Sequence, residues 1–257
     1  MEIIDFHTHP FLTERYNICS HTAHCKMSAE KTKDTMQKLG VSKICGSVIS
    51  FAEDGLSEWD RVKDWNNQAL LLREYYGDFY VPGFHVHPDY VRESCEEIDR
   101  MASLGVRLIG ELIPYRFSYR NYSTKAMKEI LTYAAKKGMI VSFHSMDDDD
   151  MDAFVRENPE AKLVAAHPGE YGEFVRHMRR MKMSENYFLD LSGYGIFRHG
   201  MLRHAIDEVG AERLLYGSDF PTCNPSMYLG GVIMDELITK EEQERILSKN
   251  AKRLLGI

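Results

Sequence analysis

The sequence predicts an α/β fold, a (β/α)8 TIM barrel with an extra C-terminal helix, and three observations carry that reading. Strand-like and helix-like stretches alternate from one end to the other. They make up roughly eight strand–helix units, the number that closes a parallel barrel. Polar groups able to bind metal stand at the ends of several apolar runs, where a barrel gathers its active site. The length of 257 residues suits a barrel built as one unit, so residues 1–257 are read as a single domain.

The elements follow in order. Residues 2–8 form an apolar strand running into His7 and His9. Ser28 caps a helix over 28–39, Gly40 stops it, and 41–50 is the second strand. Ser57 and Glu58 open a long helix to 76, followed by a strand over 79–87 and a helix over 91–104. Strands at 106–113, 139–144, 163–167, 187–191 and 213–218 alternate with helices at 123–137, 151–157, 171–183 and 201–209. Helices near 227–237 and 241–255 finish the chain. The acid run Asp147–Asp150 reads as a helix N-terminus favoured by the helix dipole. A doubly wound open sheet is the competing fold, but no Gly-x-Gly-x-x-Gly follows any predicted strand.

Composition excludes several classes. A formal charge of −7 argues against a binder of nucleic-acid backbone. No apolar run is long enough to span a membrane, and the N-terminus has no signal-sequence pattern. Five scattered cysteines read as reduced thiols of a cytoplasmic protein. The expected partner is a small-molecule substrate, with room for a homo-oligomer.

The chemistry lies at the predicted strand ends. On a strand, residues i and i+2 point the same way, so His7 and His9 leave it on one side. The fourth strand ends in Glu111, the fifth in His144, the sixth in His167 and the eighth in Asp219. Imidazole nitrogen and carboxylate oxygen are donors for zinc and similar ions. Any one of these histidines alone would be read as structural. Six such groups at one topological location make a metal site.

Asp5-Phe-His-Thr-His9, Phe143-His144, His167-Pro-Gly169, Leu215-Tyr-Gly-Ser-Asp-Phe-Pro221 and the terminal Asn250-Ala-Lys-Arg-Leu-Leu-Gly-Ile257 resemble the amidohydrolase superfamily. The nearest branch is the amidohydrolase-2 group, which includes aminocarboxymuconate semialdehyde decarboxylase and several lactonases and hydrolases. The resemblance covers essentially the whole chain. It implies that His7, His9 and His144 are metal ligands, with Asp219 a further ligand or the general base. His167 would act on the water or hold a second ion. No lysine ends the fourth strand; Glu111 stands there, resembling the bridging glutamate of TatD-like hydrolases. One tight zinc is expected, with Glu111 allowing a second divalent ion. The implied reaction is attack of metal-activated water on a carbonyl-type C–N or C–O bond, with Asp219 as base.

Weaker signals remain. His85 and His87 repeat the His-x-His pattern and are read as pocket wall or structural residues. His21, His24 and Cys25 are read as a surface or lid loop. Arg116 and Arg198 are candidates to hold an anionic substrate, since arginine pairs bidentately with carboxylates. The expected function is a zinc-dependent hydrolase of a small organic substrate. Its alternatives are a non-oxidative decarboxylase of a small aromatic or unsaturated acid, a TatD-like or PHP-like phosphoesterase, and a non-catalytic zinc-stabilised binding protein.

Overall fold

The computed structural model of the chain describes residues 1–19, 27–52, 55–195 and 198–257. Its strands are β1 (Ile3–Asp5), β2 (Val41–Ser47), β3 (Tyr80–Phe84), β4 (Leu108–Leu112), β5 (Ile140–His144), β6 (Lys162–Ala166), β7 (Tyr187–Asp190) and β8 (Leu214–Leu215). Each pairs in parallel with the next, giving one eight-stranded sheet in chain order. Beyond the regular strands the first and last ends join. Phe6 N–H donates to the Tyr216 carbonyl (2.9 Å), Asp219 N–H to that of His7 (2.8 Å) and His9 N–H to that of Phe220 (2.7 Å). The expected TIM barrel is the observed fold.

Alternation along the strands explains the core. Ile4, Cys45, Leu108, Ile140, Val164, Phe188 and Leu215 come from seven strands and pack into one inner layer. Residues one position away, such as Val141, Leu163 and Leu189, join the outer cluster beneath the helices. Two steps along β5 from Ile140 is Ser142, and two further is His144. The same step along β7 leads from Phe188 to Asp190. The inward row that is apolar at the barrel floor becomes polar at the strand C-termini.

The helices are α1 (Ala29–Lys38), α2 (Glu58–Tyr76), α3 (Val91–Ser103), α4 (Lys125–Lys136), α5 (Asp148–Glu157), α6 (Tyr171–Met183), α7 (Met201–Val209), α8 (Pro225–Ile233), α9 (Lys240–Glu244) and α10 (Asn250–Leu255). Ser28, Ser57 and Thr124 cap α1, α2 and α4 by accepting a backbone N–H. Each such cap contributes about 1 kcal/mol. The acid run opens α5 earlier than the expected residue 151: the Asp147 carboxylate accepts from Asp149 N (3.1 Å) and Asp150 N (3.3 Å). Pro225 in the first turn starts α8 just after its Asn224 cap. A π-helical turn, Arg245–Lys249, joins α9 to α10. Ala251, Leu254 and Leu255 of α10 pack onto the inner layer and stopper the barrel floor.

Several strands are shorter than expected, among them the two at the seam, β1 (expected over 2–8) and β8 (expected over 213–218). Past the regular strands the backbone pairing turns irregular, with a side chain sharing its hydrogens. The Asp5 carboxylate accepts from His7 N (3.2 Å) and Ser218 N (3.0 Å), which turns both ends toward the barrel axis. Among the described residues, no helix is long and apolar enough to cross a membrane.

Candidate metal centre

Six side chains from five strand ends converge at the C-terminal mouth of the barrel. The His7 and His9 Nε2 atoms lie 3.2 Å apart. Glu111 Oε2 is 3.5 Å from the first and 3.4 Å from the second. Asp219 Oδ1 is 3.8 Å and 3.4 Å from the same two nitrogens. Donor atoms bonded at about 2.0–2.1 Å to one tetrahedral ion sit about 3.3 Å apart. The observed separations are those of donors around a common cation. The other oxygen of Glu111 faces the opposite way: Oε1 lies 3.0 Å from His144 Nδ1 and 3.7 Å from His167 Nε2. Glu111 therefore belongs to two donor groups, one with His7 and His9 and one with His144 and His167.

Tautomers test whether a cation fits. His7 Nδ1 faces Asp190 Oδ2 at 2.9 Å, and His9 Nδ1 faces the Ser47 carbonyl at 3.1 Å. Both partners accept only, so each Nδ1 carries its hydrogen and donates. In the neutral rings the two Nε2 lone pairs then point at one another across 3.2 Å. Only a positive charge between them, a proton or a metal ion, makes that arrangement favourable. A divalent ion fits these residues.

Local backbone features aim the groups. The β4–β5 register shifts between Ile109 and Leu112, which adds a residue and turns Glu111 inward. Gly110 makes this feasible, because a Cβ there would collide with the Ser142 carbonyl. His167 and Asp219 adopt φ of 66° and 58°, left-handed values that are uncommon outside glycine. Such conformations concentrate at functional sites. Gly193 leaves the space occupied by the His167 ring.

Electrostatics follow from burial and proximity. His7, His9 and Glu111 are each 3% exposed. Burial opposes charging of His7, yet the Asp190 and Glu111 carboxylates outweigh it and hold the ring well above its ordinary pKa. Burial likewise opposes His9, but hydrogen bonds with Asp219 and Glu111 carry it up to about 9. For Glu111, burial is overcome by the His7 charge and by bonds from His144, His7 and His9, so its carboxyl stays well below the usual range. Burial lowers His167.

The sign of the pH dependence follows. Because His9 is raised from 6.5 to about 9, its charge stabilises the metal-free fold fully below pH 6.5, and that contribution is lost as pH rises through about 9. A divalent ion bound at His9 would have to displace that proton, so affinity for added zinc should rise over the same window. Melting curves of stripped protein and chelator-competition titrations check both trends; a zinc affinity that stays flat over this range would refute the assignment.

A cavity of about 350 Å³ opens above the cluster. It is lined by His9, Glu111, His144, His167 and Asp219 and walled by Ile18, Ile49, Phe51 and Tyr115. The two arginines singled out in the sequence do not line it. Arg116 donates to the Ser50 carbonyl (2.8 Å), and its guanidinium lies 5.0 Å from the centre of the Phe51 ring. Arg198 pairs with Glu170, which also accepts from the Tyr194 hydroxyl, and borders a separate hollow beside Gly230 and Met234. His85 donates from Nε2 to the Val48 carbonyl (3.0 Å) and packs on Trp65; burial brings it down to about 4. His87 accepts the Asp89 N–H at Nδ1 (3.2 Å), its Nε2 lies 2.9 Å from the Glu58 carboxylate, and it does not line this cavity. His21, His24 and Cys25 lie outside the described residues. Asp190 and Ser192 were missed by the sequence reading. Their signal was present: Asp190 closes the apolar run of the seventh strand as His144 closes the fifth.

Residues 4–257 match the family described as Amidohydrolase. No curated protein sequence matches the chain. Several solved structures share its fold. The 2,6-dihydroxybenzoate decarboxylase from Rhizobium has a TM-score of 0.77 at 13% identity, covering 100% of this chain and 99% of that one. The probable 2-pyrone-4,6-dicarboxylic acid hydrolase from Acinetobacter baumannii has a TM-score of 0.72 at 17% identity, with 100% of both chains covered. The 5-carboxyvanillate decarboxylase from Sphingomonas paucimobilis has a TM-score of 0.71 at 12% identity, covering 100% of this chain and 99% of that one. With the family match spanning all but its first three residues, the chain belongs to the amidohydrolase family and is an enzyme of that superfamily.

Proposed function

We propose that the protein is a zinc-dependent hydrolase that cleaves a carbonyl-type C–N or C–O bond in a small organic molecule, in which His7, His9 and Glu111 would hold one divalent ion and Glu111, His144 and His167 would hold a second. The observation that carries this reading is the division of Glu111: Oε2 faces His7 and His9, and Oε1 faces His144 and His167. Imidazole with carboxylate is a donor set suited to zinc. A bound ion would supply Lewis acidity and lower the pKa of water held by it towards ~7.

The remaining work belongs to the chain. Asp219, 8% exposed and on the cavity wall, accepts the proton of the attacking water on its carboxylate and returns it to the leaving group. Glu111, already ionised, offers a fixed negative charge to both donor groups. Ile18, Ile49, Phe51 and Tyr115 offer the apolar surface against which the organic part of the substrate packs. Arg116 braces Phe51 from behind.

A decarboxylase of a small aromatic or unsaturated acid is the second reading. The aromatic walls Phe51 and Tyr115 favour a flat substrate, and two of the similar structures are named as decarboxylases of such acids. Elemental analysis of protein purified without added metal, followed by a screen of lactones, amides, esters and aromatic acids, tests both. About two ions per chain and a new carboxylate in the product are expected. Release of carbon dioxide without hydrolysis would replace the first reading by the second.

A further inference from the structure

Behind the cluster lies a buried chain of hydrogen bonds that the proposed reaction does not use. Asp190 and Ser192, both 0% exposed, are sealed from the cavity. Asp190 Oδ2 accepts from His7 Nδ1 at 2.9 Å. Asp190 Oδ1 accepts twice from Ser192, once from its N–H at 3.0 Å and once from its hydroxyl. The Ser192 oxygen also lies 3.0 Å from His167 Nδ1. A serine hydroxyl has one hydrogen, and that hydrogen is on Asp190. Towards His167 the oxygen can only accept, so His167 carries its hydrogen on Nδ1 and turns the Nε2 lone pair toward Glu111.

We propose that Asp190 and Ser192 are positioning residues: one buried carboxylate selects the ligand tautomer of His7 directly and of His167 through the serine hydroxyl, and so governs both halves of the centre. The inference rests on the two-ion reading above. Each group has a distinct part. Asp190 serves the His7–His9 side by direct contact. Ser192 serves only the His144–His167 side. Partners of this kind typically account for 10–100-fold in metal affinity.

Asp190→Asn separates the two routes. Its oxygen must remain with Ser192, which presents two hydrogens to it. The amide NH2 therefore faces His7 Nδ1, and His7 must accept there and place its hydrogen on Nε2, where the ion would bind. The expected result is a 10–100-fold weaker zinc site on the His7–His9 side, with the other site retained. Ser192→Ala should weaken the His167 site by about 10-fold and spare the first, whereas Ser192→Thr restores it.

Zinc titration calorimetry on chelator-stripped protein reads the two affinities. Nitrogen-15 NMR of the histidine rings in metal-free protein reads the His167 tautomer without any ion. The Nδ1–H form is expected in the parent and in Asp190→Asn, and its loss in Ser192→Ala. Unchanged zinc affinities in both variants, or an Nε2–H tautomer of His167 in the parent, would overturn the proposal. If the stripped parent takes up no zinc yet shows the Nδ1–H tautomer, the two-ion reading fails and the hydrogen-bond assignment stands.

Discussion

Replacing Glu111 with glutamine is expected to reduce bound metal from about two ions to about one and to lower kcat/KM by more than ~10²-fold. The reason is geometric. Both carboxylate oxygens act as acceptors, and they face different imidazole pairs, His144 at 3.0 Å on one side and His9 at 3.4 Å on the other. Glutamine keeps one oxygen and turns the other position into a donor. One pair of imidazoles then meets an NH2 group instead of a negative charge. The charge removed is also one of those that raise His7, after Asp190, and His9, after Asp219. Metal analysis beside steady-state kinetics checks the prediction, and an undiminished ion count would remove Glu111 from the shared position.

The second large effect is expected at Asp219. Asp219→Asn should retain metal but lose about 10²–10⁴-fold in kcat, the usual worth of a positioned general base. Asparagine is the informative replacement because it tolerates the left-handed φ of 58° at this position. The backbone is anchored independently, by the Asp219 N–H bond to the His7 carbonyl at 2.8 Å. The change therefore acts on the proton acceptor and leaves the frame in place. Metal content and kcat measured on one preparation separate the two effects. Full turnover in the asparagine variant would mean that another group takes the proton.

Much of the architecture was legible in the sequence because helices announce their ends. Tyr171–Met183 and Met201–Val209 were expected over the residues they occupy; the first opens on a Glu170–Glu173 capping box and the second stops at Gly210. Strand ends were harder. Where β1 and β8 approach the site, the Asp5 side chain shares the peptide hydrogens that a ladder would use, and no local pattern reveals that sharing. The donors at the mouth were legible because each ends an apolar run. Their division into two groups was suggested only by resemblance, through Glu111 and His167, because the geometry that aims Glu111 at both imidazole pairs depends on the bulge at Gly110–Glu111. Arg116 and Arg198 had suitable chemistry, but their partners, the Ser50 carbonyl and Glu170, lie far off in sequence and become neighbours only after folding.

The seam where the barrel closes has a temporal consequence. Phe6 meets Tyr216 and His7 meets Asp219 there, so the first and last strands of the barrel supply one donor set. A growing chain cannot assemble that set until its eighth strand has emerged, and contacts of such long sequence separation form slowly. Capture of a cation by this set would have to wait for barrel closure, and a cation once held would act as a clasp across the first and last strands.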